Sequence, residues 1–501
     1  MKNSLGRFVG EGFTPFNKSD SFRNQKRIVI AEKPTTNTNK LVSSISEVFD
    51  SLAISDGMTL SFHHHLRDGD KVLSLVAAEI KKRNLKNMIL APTSIFPCHK
   101  DLVELIENKN VVQIYTNYMN GPVADAISAG KLALPVIMMT HGGRPQAIES
   151  GYLKIDVAFI ACPIADIAGN GNGFAGVNAC GSLGYIISDM LYAHKKVVIT
   201  DYLVEKVEKR EIKSEYIDYV VKVDSIGDAQ KIVSGTTKIT KDPIGLKIAK
   251  EAALFLDSAG YIINGFSMQT GAGGTSLAVA SFVKEIMLAK NIKASFASGG
   301  ITGYYTSMLE EGLVEKLYDV QSFDLEAVKS IAKNKCHFSI SASKYANPYE
   351  DNIANKLDFV ILGATEVDVN FNVNVTTSSL GNIIGGSGGH ADTAYGAKLT
   401  MIVTPLIKSR IPIIKEAVTT ITTPGSDVDV IVTERGIAIN PLRQDLIKKM
   451  KDTKLNIVTI EELLQRAHSI TGIPEKIEFT DEIIGVVMYR DGTIIDTIYR
   501  K

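Results

Sequence analysis

The chain has 501 residues, 55 basic and 55 acidic, so its formal net charge is zero and nothing electrostatic calls for nucleic acid or an anionic membrane as partner. Hydrophobic residues at 45% and charged residues at 22% describe a globular protein with chain enough for two cores, and no apolar run approaches the ~18–20 residues that span a bilayer. Cys98, Cys162, Cys180 and Cys336 lack Cys-x-x-Cys spacing and the start lacks a signal-peptide centre, so neither disulfide framework nor structural zinc is expected, and the cytoplasm is the expected setting.

Residues 1–40 are polar, carry Pro15 and Pro34, and read as an extended arm. A first α/β domain is expected over 41–240. Its strand 60–62 runs into Phe62-His63-His64-His65-Leu66-Arg67-Asp68-Gly69-Asp70, followed by a helix over 71–83 and a strand over 88–91. Further strands are expected at 111–115, 135–140, 156–162 and 196–200, with helices at 121–130 and 185–194. The Lys/Thr-rich stretch 236–243, ending in Pro243, reads as the domain boundary.

A second α/β domain is expected over 241–501, opening with a helix at 246–257. The β-prone 261–263 precedes Gln269-Thr270-Gly271-Ala272-Gly273-Gly274-Thr275-Ser276, and Leu277, Ala280, Val283 and Met287 then recur at helical period. A strand and a second glycine turn, Ala297-Ser298-Gly299-Gly300-Ile301-Thr302-Gly303, complete a βαβ unit with both loops at one sheet edge. Strands are expected at 357–363, 367–375, 399–403, 413–421 and 428–433. Thr459 and Glu462 have capping-box spacing, and Asp491-Gly492 marks a structural hairpin between 483–489 and 493–499. The repeated order of turn, strand, glycine loop, helix and strand predicts two related halves with mainly parallel sheets and a ligand cleft between them.

The loops carry the chemistry. Free backbone amides at the Gly271–Thr275 turn suit a phosphate or oxyanion, or the glycines simply make a tight strand-to-helix turn. Three consecutive histidines at 63–65 cannot easily converge on one ion, so a polar active-site loop is preferred over a metal site. Arg67 and Arg144, the latter in His141-Gly142-Gly143-Arg144-Pro145, sit beside predicted strand ends; each either forks onto a carboxylate or forms an ion pair. Gly385-Gly386-Ser387-Gly388-Gly389-His390-Ala391-Asp392 adds a second amide-rich loop with a candidate acid–base histidine. Neither a Gly-x-Ser-x-Gly elbow, a P-loop lysine nor a regular dinucleotide fingerprint accompanies these loops.

Taken in this order over the chain, the 61–67 loop, the 141–145 turn, the 271–275 loop and the 385–392 loop resemble the coenzyme A transferase superfamily, and within it the citrate lyase α subunits. The Val360–Asp368 and Val432-Thr433-Glu434-Arg435-Gly436 runs resemble segments of ordinary coenzyme A transferases. The resemblance implies Gly299, Gly300 and His390 at the reacting group. It implies His64, His65, Arg67 and Arg144 on the carboxylic substrate, and Gly271, Gly273, Gly274, Thr275, Ser298, Gly388 and Gly389 along the thioester. It further implies citrate and acetate as acids, and an acyl carrier (γ) subunit bearing a phosphoribosyl-dephospho-coenzyme A group, with acetyl-coenzyme A as an alternative thioester. No tightly bound cofactor and no metal is implied; a lyase (β) subunit and a homo-oligomer within a larger complex are. Ordinary members carry a catalytic glutamate in a Ser-Glu-Asn-Gly motif. Ser298 falls where that glutamate is expected, which implies direct attack by the substrate carboxylate. A transferase for another acid such as citramalate, or a non-catalytic assembly subunit, are the alternatives.

Overall fold

The computed structural model describes residues 1–17, 37–233, 238–271 and 273–501. Residues 18–36 of the expected arm, 234–237 at the expected boundary, and Ala272 lie outside these.

Two large sheets dominate. The strands of the first are β1 (Leu41–Val42), β2 (Thr59–Phe62), β3 (Met88–Pro92), β4 (Val111–Thr116), β5 (Val136–Met138), β6 (Val157–Cys162), β7 (Lys195–Thr200) and β8 (Tyr219–Lys222). The second holds β9 (Ser267–Thr270), β10 (Ala294–Ile301), β11 (Val314–Ser322), β12 (His337–Ser339), β13 (Phe359–Leu362), β14 (Leu399–Val403), β15 (Val430–Thr433), β16 (Gly436–Ile439) and β17 (Ile457–Val458). The chain then returns to the first sheet with the hairpin β18 (Ile483–Met488) and β19 (Ile494–Tyr499), β18 pairing parallel with β5.

The ten-stranded first sheet has the order β1-β8-β7-β6-β2-β3-β4-β5-β18-β19, and the nine-stranded second the order β12-β11-β10-β9-β13-β14-β15-β16-β17. Read outward from β2 and from β9, seven strands follow one order: 8-7-6-2-3-4-5 matches 15-14-13-9-10-11-12. All pairings among those fourteen strands are parallel. Parallel strands covered on both faces must be apolar throughout, and β6 (Val-Ala-Phe-Ile-Ala-Cys) and β13 (Phe-Val-Ile-Leu) are buried along their whole length.

The repeat extends to detail. Ile164–Asp166 pairs antiparallel with Gly171–Asn172 and parallel with Leu203–Val204; Glu366–Asp368 pairs likewise with Val373–Asn374 and Ile414–Lys415. The Asp166 carboxylate accepts from the amides of Ala168, Asn170 and Val207, and the Asp368 carboxylate from those of Asn370, Asn372 and Val418. The same turn chemistry thus closes the same small sheet in each half.

Three differences from the sequence expectation follow. Residues 261–263 are not a strand; β9 begins at Ser267, where Asp358 caps the Ser267 amide (2.7 Å). Of 413–421 only Ile414–Lys415 pairs, and 367–375 is two short strands around a turn at Asp368. The C-terminal hairpin, expected within 241–501, completes the first sheet because its apolar face (Val486, Val487, Ile494, Ile498) joins that core. The N-terminal residues pack there too: the Asn3 side-chain amide donates to Ile494 O and Ile495 O, and Val9 and Phe16 are buried. Among the described residues no helix is long and apolar enough to cross a membrane.

Candidate active site between the two halves

Beyond Phe62 the chain leaves β2 through the histidine loop. The His64 amide donates to Thr93 Oγ1 (3.0 Å), and the His64 carbonyl accepts from Gln321 Nε2 (2.9 Å) on β11 of the other half. The loop closes in a short turn, with the Arg67 amide on His64 O (2.9 Å), before Asp70 caps helix α1 (Val72–Arg83). Arg67 sits at φ 52°, a left-handed conformation with a cost of order 1–3 kcal/mol off glycine. That conformation aims its guanidinium across the divide, 4.8 Å from the Phe323 ring centre and 5.6 Å from that of Phe96.

Around this cation three imidazoles, those of His64, His65 and His141, are held neutral by burial. His64 and His141 each lie 4.7 Å, ring centre to ring centre, from Tyr185. Burial pushes His64 and His65 well below the usual histidine range, and burial with nearby Arg144 and Arg67 takes His141 down to about 3. At neutral pH the imidazoles serve as hydrogen-bonding groups, and Arg67 carries the charge.

The second half meets this surface with glycine. A bulge lies between Gly299 and Gly300 at the end of β10, and Gly299 has φ +100°. A Cβ on Gly299 would stand 2.6–2.9 Å from the Gln269 carboxamide, and one on Gly300 would overlap the Phe323 ring. Glycine is therefore required at both by close approach. One strand over, Gly271 follows β9 and Gly273 caps helix α2 (Gly274–Lys290) without a side-chain hydrogen bond, leaving the first helical amides to other acceptors. From the far side, Gly388 O accepts the His141 amide (2.7 Å), and Thr140 Oγ1 and the Gly142 amide both donate to Asp392 (2.9 and 2.8 Å). Arg67, His141, Gly300, Gly388 and Gly389 are the partly open positions where carboxyl ends of both sheets converge.

Several expected site residues are engaged elsewhere. Arg144 is 2% exposed; its Nη1 pairs with Asp189 (2.7 Å) and its Nη2 donates to Ser61 Oγ and Ala91 O, so it is a core ion pair rather than a substrate fork. His390 has Thr423 Oγ1 2.7 Å from Nδ1 and Gly363 O 3.0 Å from Nε2. With both nitrogens occupied, and burial holding it at about 4, it fastens the glycine loop and does not present a base. Ser298 is fully buried and bonded to Tyr318 O (3.2 Å). The next two residues, Gly299 and Gly300, carry no side chain, and Gly300 is the partly open one. Thr275 Oγ1 faces Gly245, 3.0 Å from where a Cβ would stand. His65 is buried against Tyr185, at 6.0 Å, behind His64.

Sequence reasoning passed over Gln269, Gln321, Phe323, Tyr185 and Tyr345. Gln269, Gln321 and Phe323 lie at or beside strand ends, while Tyr185 and Tyr345 lie at the start of or within short helices. His141 stood inside a quoted motif without being selected.

Against known proteins, residues 38–501 match the family model described as citrate lyase, alpha subunit. The chain is 46% identical over 469 residues to the citrate lyase alpha chain of Haemophilus influenzae, covering 93% of this chain and 94% of that one. It is 45% identical over 483 residues to that of Escherichia coli K12, covering 96% and 94%. A crystal structure of the putative alpha subunit of citrate lyase from Streptococcus mutans, in complex with citrate, superposes with a TM-score of 0.97 at 44% identity, covering 100% of this chain and 99% of that one. A malonate decarboxylase hetero-tetramer chain from Pseudomonas, at 15% identity and TM-score 0.65 over 87% of this chain and 84% of that one, shares the fold. The duplicated parallel sheets, the glycine-lined junction and the match over 38–501 agree: the chain belongs to the citrate lyase α-subunit family.

Proposed function

We propose that this chain transfers a carrier thioester from acetate to citrate, using the citrate carboxylate itself as nucleophile. The observation that carries the reading is the absence of a carboxylate at the turn ending β10: Ser298, where a catalytic glutamate is expected in ordinary coenzyme A transferases, is buried and bonded to Tyr318 O, and Gly299 and Gly300 beside it have no side chain. The citrate complex of the Streptococcus mutans relative supports citrate as the acid.

A citrate carboxylate oxygen bonds to the acetyl carbonyl carbon, and the carbonyl pair moves onto oxygen. Its return breaks the C–S bond and releases thiolate, leaving a citric–acetic anhydride. The thiolate then adds to the citryl carbonyl, and collapse breaks the anhydride C–O bond to give acetate and citryl thioester. Arg67 holds a citrate carboxylate by charge, while neutral His64 and His141 accept or donate hydrogen bonds without adding charge. The α2 amides and the glycines at 271, 273, 299 and 388–389 line the thioester arm and the oxyanion. An acyl carrier subunit presents the thioester and a separate lyase subunit cleaves the product.

The test is exchange of acetate for citrate on an acetyl thioester by the purified chain, with citramalate run beside it and intact-mass spectrometry on the same samples. Citryl thioester with unmodified protein is expected. A competent acyl adduct on any side chain sinks the anhydride route, preferential use of citramalate reassigns the acid, and no exchange with either acid leaves an assembly subunit.

A further inference from the structure

Gln269 is buried, 6% exposed, near the end of β9, and lies against Tyr345 and the Gly299 turn that ends β10. Its Nε2 donates to Tyr345 Oη (2.8 Å), and its Oε1 has no hydrogen-bond partner among the described residues. A buried carbonyl oxygen left unmatched costs roughly 1–3 kcal/mol, so its retention wants a reason. The carboxamide occupies the place a side chain on residue 299 would take, 2.6–2.9 Å from that Cβ position, and a Cβ on Gly389 would overlap the Tyr345 hydroxyl. The two glycine loops thus converge on one Gln–Tyr pair.

We propose that Gln269 is a catalytic hydrogen-bond donor to the reacting acyl oxygen, oriented by Tyr345. A half-turn of the carboxamide within the same volume lets Tyr345 O–H donate to Oε1 and aims both Nε2 hydrogens elsewhere. One of these meets the oxygen that gains charge when the carboxylate adds to the thioester, and the Tyr–Gln chain polarises the donor. The neutral amide beside the Gly299 turn stabilises the oxyanion and forms no bond to carbon. The inference rests on the transfer reaction proposed above.

The test uses Gln269→Ala, Gln269→Glu and Tyr345→Phe in the exchange assay, each normalised to wild type at the same pH. Gln269→Ala is expected to lower kcat by ~10²–10³ with thioester KM within about threefold. Gln269→Glu keeps a donor while its buried carboxyl is protonated and loses it on ionisation, so its relative kcat falls by ~10² between about pH 5.5 and pH 8, with an unchanged circular dichroism spectrum. Tyr345→Phe lowers kcat about tenfold, because the donor survives without its orienter. Wild-type exchange with kcat unaltered in Gln269→Ala, or a Gln269→Glu profile parallel to wild type, overturns the role of Gln269 and leaves the transfer reaction standing. Absence of exchange in the folded wild type takes down both readings. Should Gln269→Ala not fold, the pH profile of Gln269→Glu decides alone.

Discussion

The loops after β2 and after β9 occupy equivalent places in two sheets of the same strand order, yet their chemistry is opposite. The loop after β2 presents side chains: three histidines and an arginine held at φ 52°. The loop after β9 presents backbone: Gly271, Gly273 and the start of α2, with Gly299 and Gly300 one strand away. Duplication supplied one frame twice, and each copy kept what the other lacks. A carboxylate needs charge and directional donors, which side chains provide; a long thioester arm needs close approach, which only bare backbone allows.

The sharpest way to break that comparison is to disturb the frame under the first loop. Asp189 holds Arg144 at 2.7 Å and has His63 Nε2 at 3.1 Å, all buried. Burial pushes the Asp189 carboxyl up, but Arg144 and then His63 outweigh it and hold it below the usual carboxylate range. A depressed carboxylate adds stability that is present above its unfolded value, about 3.9, and is lost as pH falls through the folded one, so the pair is intact across neutral pH. Arg144→Ala leaves a buried charge without its partner and is expected to cost about 3–5 kcal/mol, read as a fall in Tm at pH 7 with binding of both substrates lost together. Selective loss of citrate binding at unchanged Tm would restore Arg144 as a substrate fork.

Arg67 is the counter-case. Arg67→Gly relieves a left-handed strain of about 1–3 kcal/mol, which offsets much of the side-chain contact it gives up, so Tm should fall by less than in Arg144→Ala. Citrate affinity by calorimetry should nonetheless fall ~30-fold or more, about 2 kcal/mol for a desolvated charge pair. Equal affinity in the variant would move the carboxylate away from this loop.

On the backbone side, Gly300→Ala drives a methyl into the Phe323 ring beneath Arg67, and overpacking of that kind costs about 1–3 kcal/mol. Gly271→Ala meets nothing nearer than 3.5 Å and has no left-handed φ, so stability should change by under about 1 kcal/mol. If the β9 loop carries the thioester arm, that same variant still weakens acetyl-coenzyme A binding. Undisturbed binding would reduce Gly271 to a turn residue.

The frame was legible in sequence because parallel strands advertise themselves as short apolar runs between glycine turns, and β2, β3, β6, β13 and β14 fall where those runs stand. The second half was harder where β-structure is polar or brief. β11 carries Glu315, Lys316, Asp319 and Gln321 in a nine-residue strand, which hides its apolar period although its Gln321 reaches the His64 carbonyl in the other half. Loop chemistry was legible as composition but not as commitment. A histidine among glycines and an arginine beside a turn looked alike, and only spatial neighbours distinguish Arg67, over rings of both halves, from Arg144, paired to Asp189 128 positions from Ser61. Gln269 opens a quoted glycine run without being selected, and Tyr345 lies in no motif; a hydrogen bond over 76 positions cannot be read from one chain stretch.

The smallest expected effect is the most discriminating for the side-chain half. If the β2 loop works through one cation and neutral imidazoles, the ring resonances of His64, His65 and His141 in 15N-labelled protein should keep their neutral pattern from about pH 8 to about pH 5.5. The sign follows from burial: a histidine lowered in the folded state binds its proton more weakly than in the unfolded chain. Stability therefore falls as pH drops from about 6.5 toward the folded value, about 3 for His141. Raised carboxyls oppose this: Asp392, pushed by burial to about 6, and Glu211, pushed by burial to about 7, penalise folding as pH climbs through the same range. Tm can thus stay level over that interval while the individual groups titrate far apart, so the resonances and not the melting curve decide. A midpoint near 6.5 for His64 or His141 would place a second cation beside Arg67. Binding at this loop would then depend on summed charge, and the contrast with the glycine half would be one of electrostatics before it was one of reach.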